Sequence, residues 1–162
     1  MAEILDSGER TVYSTGAVRD LAGEDKGSCE LLPLDIVASL MDDSVIAAVY
    51  AFQETGETKY LIDALKSFSG FESLSDMMLE VSLHYRDGAK KYGRHNWQKG
   101  IDISSYVNSM IRHYLKFKRG DDDERHDRAF VWNVLSCCWT MIHKPEMDDF
   151  TEKNFTEKTE TI

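Results

Sequence analysis

Residues 90–97 carry Lys90, Lys91, Tyr92, Arg94, Asn96 and Trp97. Lysine and arginine can grip phosphate oxygens, arginine in two-pronged fashion. The Asn96 amide can read an adenine or guanine edge, and Tyr92 or Trp97 can stack on a base. Further on come Arg112-His113, then Asp121, Asp122, Asp123, Glu124, His126 and Asp127 within seven residues. Hard carboxylate oxygens suit Mg²⁺ or Mn²⁺, and a histidine tilts the set toward Mn²⁺ or another transition metal. Glu80, His84 and Asp87, spaced by four and three, share one helix face on which a carboxylate and an imidazole can bind one ion. The region therefore reads as a site for a charged small molecule and a divalent metal.

Each group also has a plainer reading. Glu80, His84 and Asp87 can form a solvated edge with a local ion pair. Acidic residues at a helix start are favoured by the helix dipole, which accounts for two or three of the carboxylates but not readily for five. Trp97 can plug the core. His113, three residues after Met110, faces inward and can be a satisfied core histidine, while the acidic turn offers it a charge partner. Residues Ser14 to Asp20 with Lys26-Gly27 read as a loop able to touch phosphate, without P-loop spacing. No Gly-x-Ser-x-Gly elbow or Cys-His pair is present, and the His126-Asp127 dipeptide alone is a weak pointer to HD-type phosphohydrolases.

The elements that must position these groups read as helices. Pro33 opens one, with Ile36, Val37 and Leu40 on its inner face and an end near Asp42-Asp43. Val45 to Phe52 and Thr58 to Phe68 give two more. Ser73 caps a fourth, with Leu74, Met77, Met78, Val81 and Tyr85 as its buried stripe and a possible run to Tyr92. Asn96 to Gly100 is a turn. A fifth helix opens at Ser104, with Val107, Met110, Ile111, Tyr114 and Phe117 inward, and ends at Gly120. The last runs from about Asp122 to His143, with Ile142 on its apolar face, and stops at Pro145. No segment alternates convincingly with period two. The expected architecture is all-α: an antiparallel helical bundle over 31–145, an extended N-terminal arm over 1–30 and a flexible acidic tail over 146–162.

The chain has 162 residues, enough for one domain with a real core. A formal net charge of −10 repels nucleic acid, and the basic stretches Lys90–Arg94 and Arg112–Arg119 look too short to overcome it. The three cysteines lack a framework pattern. Adjacent Cys137 and Cys138 read as core residues, and a reducing, cytoplasmic setting is expected. No apolar run approaches a membrane span, and Glu3, Asp6 and Glu9 do not fit a signal peptide.

These blocks resemble the phage and bacterial dATP/dGTP diphosphohydrolase family, related to the all-α MazG-like nucleotide pyrophosphohydrolases. The resemblance rests on Thr15 to Asp20, Lys26-Gly27, Leu31 to Pro33, Gly88 to Gly93, Asn96 to Gly100, Arg112-His113, Gly120 with the acidic run to His126, and Trp132-Asn133. Ser28 stands where an arginine is expected, Val45 to Gly70 looks like an insertion, and Ala129 replaces a histidine frequent in relatives. The resemblance implies cleavage of a purine deoxynucleoside triphosphate to monophosphate and pyrophosphate. It implies Mg²⁺ or Mn²⁺ on Glu80, Asp123, His126 and Asp127. Glu80, Lys91, Arg112 and His113 become the catalytic groups, and Arg19, Lys26, Lys90, Tyr92, Arg94, Asn96 and Trp97 the substrate-binding ones. A homo-oligomer, dimer or tetramer, is the implied assembly. The competing expectation is a catalytically inactive phage protein that sequesters a nucleotide or cyclic nucleotide-like immune signal. An acidic helical mimic of nucleic acid leaves the Lys90–Trp97 block unexplained.

Overall fold

The computed structural model describes residues 8–20 and 25–152. Two short strands, β1 (Arg10–Val12) and β2 (Val18–Asp20), pair antiparallel with Thr11 opposite Arg19. Among the described residues six α-helices follow: α1 (Leu34–Met41), α2 (Ser44–Thr55), α3 (Lys59–Ser67), α4 (Leu74–Tyr92), α5 (Ile103–Arg119) and α6 (His126–His143). The chain is thus an all-α bundle with one small hairpin.

Local chemistry explains the boundaries. Asp43 caps α2 by accepting from the backbone N–H groups of Val45 and Ile46, and its other oxygen accepts from Tyr114 at 2.6 Å, tying α2 to α5. Ser73 accepts from the Asp76 N–H and starts α4. Gly120 ends α5 at φ +88°, where its N–H returns to the Lys116 and Phe117 carbonyls.

Helix α6 is the centre. It is buried on nearly every side, and α3, α4 and α5 all pack on it. Phe68, Tyr114, Phe117 and Phe130 interlock around it, with the Phe68 and Phe130 rings 4.6 Å apart. Helix α5 runs antiparallel to α6, with Tyr114 against Phe130 and Tyr106 against Trp132. The direction of α4 fits the antiparallel bundle expected. Glu80 meets Arg128 and Tyr85 meets Ser136, so α4 and α6 run the same way, as first and third helices of an up-down-up succession must.

That direction corrects the α4 stripe. Glu80 is already level with the first turn of α6, so the preceding turn projects beyond it. Met77 is buried, whereas Leu74 and Met78 are 54% and 41% exposed. In α1 the inward face is Leu34 and Ala38, and Ile36 and Leu40 point to solvent, as does Ile142 in α6. Helix α6 begins at His126 rather than near Asp122, because the Asp121–Arg125 side chains bond locally instead of entering a helical turn.

Both ends of the chain hold more structure than the arm-and-tail expectation allowed. The hairpin docks on the bundle. Tyr13 Oη donates to Ser105 Oγ at 2.9 Å, Ala17 is fully buried, and Thr15 bonds the Gly100 carbonyl. Beyond α6, Asp148 caps Phe150 and Thr151, and both are buried. Asp149 accepts from the Ser104 N–H at 2.8 Å, bracing the start of α5. The rest of the expected arm and tail, residues 1–7, 21–24 and 153–162, lies outside the described residues.

Candidate active site

The hairpin is fixed by two sequence-distant clamps. The Asn96 amide both donates to the Val18 carbonyl, at 2.7 Å, and accepts from the Val18 N–H, at 2.8 Å. Asp20 accepts from Arg10, Lys91 and Tyr92 at 2.6–2.7 Å. Burial first, and then the bond to Asp20, push the Tyr92 phenol above its usual range. Asn96 and Lys91 therefore hold the strand rather than presenting an unengaged amide and ammonium group.

The clamped strand aims Arg19 inward. Its guanidinium donates to Ser109 Oγ and Asn133 Oδ1, both at 3.1 Å, and lies 5.6 Å from the ring centres of Tyr106 and Trp132. Asn133 is itself oriented by donating to the Ala129 carbonyl. From α5, Arg112 donates to the same Ser109 Oγ at 3.2 Å. Two guanidiniums thus meet at one hydroxyl. Among the described residues no carboxylate comes within ion-pair range of either. Burial, followed by the charge of Arg19, lowers the Arg112 pKa. Glu124 and Glu30 attract Arg112 only from beyond ion-pair range, so two cations half-removed from water meet here with none of the described carboxylates paired to them, an arrangement that favours an anion.

A second cluster lies beside them. His113 on α5 and His126 at the start of α6 face each other, Nδ1 to Nδ1, at 2.9 Å. Glu124 Oε1 is 3.5 Å from the first and 3.7 Å from the second. His126 Nε2 is 2.6 Å from Asp123 Oδ1, and that bond holds the Asp123 carboxyl below its usual range. Burial, and then Arg112 and His126, push His113 well below the ordinary imidazole value, so it is neutral.

Both clusters open on one cavity of about 1620 Å³. Arg19, Lys26, Lys90, Tyr92, Arg94, Asn96, Trp97, Arg112, His113 and Asp123 all line it, so most of the expected site residues converge. So do Asn108, Ser109, Asn133 and Glu124. Of these, the acidic run pointed to Glu124 and the Trp132-Asn133 block to Asn133, whereas nothing in the sequence marked Asn108 or Ser109. His84 lines the cavity too, its ring 5.9 Å from Trp132, and burial brings its imidazole down to about 4 against the pull of Asp87. The Trp97 ring is 5.6 Å from Tyr85 and 5.1 Å from Trp139, edge to face, so it also serves the core.

Glu80 and Asp127, expected as metal ligands, are held by arginine instead and are not among the lining residues. Arg128 Nε donates to Glu80 at 2.8 Å, and this bond holds the Glu80 carboxyl low. Asp127 accepts from Arg125 at 2.8 and 3.0 Å. There burial works upward but is outweighed by that bond and by the Arg128 backbone N–H. Two sets of groups have the composition to hold a metal ion: His113, Glu124 and His126, and Asp121, Asp123 and His126, whose ligand atoms lie within 4.8 Å of one another in each set.

Residues 50–150 match the family model described as dATP/dGTP diphosphohydrolase, N-terminal. The chain belongs to the dATP/dGTP diphosphohydrolase family. No curated protein and no solved structure matches it. The matched span carries the family model from the second half of α2 through α6, including Arg112, His113, Glu124 and His126. Arg19 and Lys26 lie before it. The family description names nucleotide hydrolysis as the activity and purine deoxynucleotides as the substrate class.

Proposed function

We propose that this chain hydrolyses purine deoxynucleoside triphosphates to monophosphate and pyrophosphate. The observation that carries the reading is the Arg19–Arg112 pair, two cations with no carboxylate in ion-pair range among the described residues, opening on the same cavity as a cluster of imidazoles and carboxylates. In this reading the two guanidiniums take phosphate oxygens and stabilise the charge that builds on the transferred group. Lys26, Lys90 and Arg94 line the same cavity and supply a positive rim that draws in a polyanion. Trp132, with neutral His84 beside it, offers a flat wall for a purine. His113, His126 and Glu124 are the groups that would hold a divalent cation, with Asp123 bonded to the far nitrogen of His126. Such an ion, when bound, polarises a phosphoryl oxygen and lowers the pKa of water. Neutral His113 can also accept a proton at a ring nitrogen.

The test is direct: incubate pure protein with dATP, dGTP, dCTP and dTTP in Mg²⁺, Mn²⁺, Co²⁺ or Zn²⁺ and measure pyrophosphate. Release from the purine nucleotides supports the reading. No pyrophosphate under any of these metals removes it.

A second reading, nucleotide sequestration without turnover, is favoured by one observation. Glu80 and Asp127, two carboxylates expected to serve catalysis, are tied up by Arg125 and Arg128. Calorimetry that shows tight binding, with the ligand recovered intact after denaturation, separates the two readings.

A further inference from the structure

We propose that His113, His126 and Glu124 form a site for a divalent transition metal, of the Zn²⁺ or Co²⁺ kind, in preference to Mg²⁺, with Asp123 as the carboxylate that orients His126. The proposal deepens the reading above and rests on the same cavity, but it does not depend on turnover.

The argument begins with the proton count. His126 uses Nε2 on Asp123, at 2.6 Å. A carboxylate can only accept there, so Nε2 carries the proton and, in the neutral ring, Nδ1 keeps its lone pair. That lone pair points at Nδ1 of His113, 2.9 Å away. As a pure hydrogen bond, the contact gives His113 Nδ1 the proton and leaves Glu124 outside it. Glu124 Oε1 is 3.5 and 3.7 Å from the two nitrogens, too far for a good hydrogen bond to either. Its side chain is only 18% exposed, and among the described residues no lysine or arginine comes within ion-pair range of it. A carboxylate in that position, converging with two imidazole nitrogens that share at most one proton, has the composition of a cation site. Two nitrogens bound to one tetrahedral ion at about 2.0–2.1 Å each lie roughly 3.3 Å apart, so the two rings, now 2.9 Å apart, need part by only a few tenths of an ångström to admit it.

The second set, Asp121, Asp123 and His126, competes poorly. Asp121 is chelated by Arg119 and Asp123 is bonded to His126, so its oxygens are already engaged. In the first set Asp123 has a different part. A carboxylate on the far nitrogen of a ligating histidine fixes the ring and its tautomer and raises its basicity. Two imidazoles and one carboxylate suit a borderline ion, whereas Mg²⁺ prefers oxygen and keeps its waters. The His126 side chain is 1% exposed, so the cluster is preorganised rather than assembled from surface groups.

The experiment uses the full chain, stripped with chelator and free of nucleotide, titrated by calorimetry with Zn²⁺, Co²⁺, Mn²⁺ and Mg²⁺. One Zn²⁺ or Co²⁺ should bind at least a hundredfold more tightly than Mg²⁺, and Co²⁺ should develop visible absorption of a tetrahedral or five-coordinate centre. H113Q should abolish that band, and D123N should weaken binding 10–100-fold while leaving the band in place. H126Q should act like H113Q. If the buried H126Q protein does not fold, H113Q carries the decision, its folding checked by circular dichroism. Mg²⁺ binding as tightly as Zn²⁺, or Zn²⁺ binding untouched by H113Q, overturns the proposal. Because no nucleotide is present, an inactive enzyme leaves this result standing, and a turnover-competent enzyme that fails the titration sinks the metal assignment alone.

Discussion

Lys91 Nζ and Asp20 Oδ2 lie 2.7 Å apart across 71 residues of sequence, and this pair locks the hairpin to the C-terminal end of α4. Asp20 also accepts from Arg10 and Tyr92, so one carboxylate gathers three donors from two elements. D20A should therefore cost more than loss of any single donor. About 1.5–3 kcal/mol is expected for removing hydrogen bonds to a partly buried charge, against about 0.5–1.5 kcal/mol for Y92F. Urea denaturation of both variants checks the ratio. Since Arg19 sits on the same strand, D20A should also weaken nucleotide binding. If binding is unchanged, the hairpin does not need this clamp to aim Arg19.

Glu80 makes a second structural prediction. Its carboxylate is bonded to Arg128, whose side chain is 7% exposed, and more weakly to Arg125. E80Q leaves a buried guanidinium facing a neutral amide. A loss of about 1–3 kcal/mol in stability is expected, smaller than for a fully buried pair because Glu80 itself is partly exposed. Metal affinity, measured by calorimetry, should be unchanged. A large fall in affinity with stability intact would restore Glu80 as a ligand.

The helices were legible because burial leaves a periodic trace. Val107, Met110, Ile111 and Tyr114 are spaced for one face of α5, and all four are buried. The Ser73 cap was legible because its hydroxyl serves an amide only three residues on. The same local signal failed at Leu74 and Met78, since whether a periodic apolar residue is covered depends on where its neighbour helix begins. Strands of three residues are too short for alternation to register, so the hairpin left no trace. At the site the residue types were readable and their partners were not. Asn96 looked like a base reader, but its amide is taken by Val18, 78 residues away. Ser109 carried no signal at all, yet both arginines meet on it.

The pH dependence of stability should bear the mark of His84. Its folded value of about 4 lies below the ordinary 6.5, so the unfolded chain binds more protons between these limits. Stability from this group is complete above about pH 6.5 and falls as the pH drops toward 4. The expected loss from pH 7 to pH 5 is about 2 kcal/mol as an upper figure. His113, also lowered, adds in the same direction. The carboxylates held low, Glu80 and Asp123, lose their contribution only in more acid solution, so the interval from pH 7 to pH 5 belongs mainly to histidine. Chemical denaturation across that interval should show a flatter slope for H84Q than for the parent chain. Equal slopes would mean that the His84 ring is protonated without penalty in the fold.

Arg19 and Arg112 should separate stability from function. They crowd one hydroxyl, that of Ser109, and burial with mutual repulsion lowers the Arg112 pKa, so the fold carries their repulsion. R112M removes one charge, keeps most of the apolar stem and loses two bonds to Asn108 and Ser109, the shorter of them 3.2 Å long. Stability should therefore stay within about 1 kcal/mol of the parent, in either direction. Nucleotide handling should fall sharply, by about a hundredfold in kcat/KM, or about 2.7 kcal/mol, if the guanidinium meets charge that develops in the transition state. R112K should recover little of this, because a single ammonium cannot reproduce two-pronged contact with a phosphate. For R19A a larger stability loss is expected, since Arg19 also packs against Tyr106 and Trp132. Thermal melts and steady-state kinetics on the three variants give both axes. Unchanged turnover in folded R112M would remove Arg112 from the phosphate site and with it the observation on which the functional assignment stands.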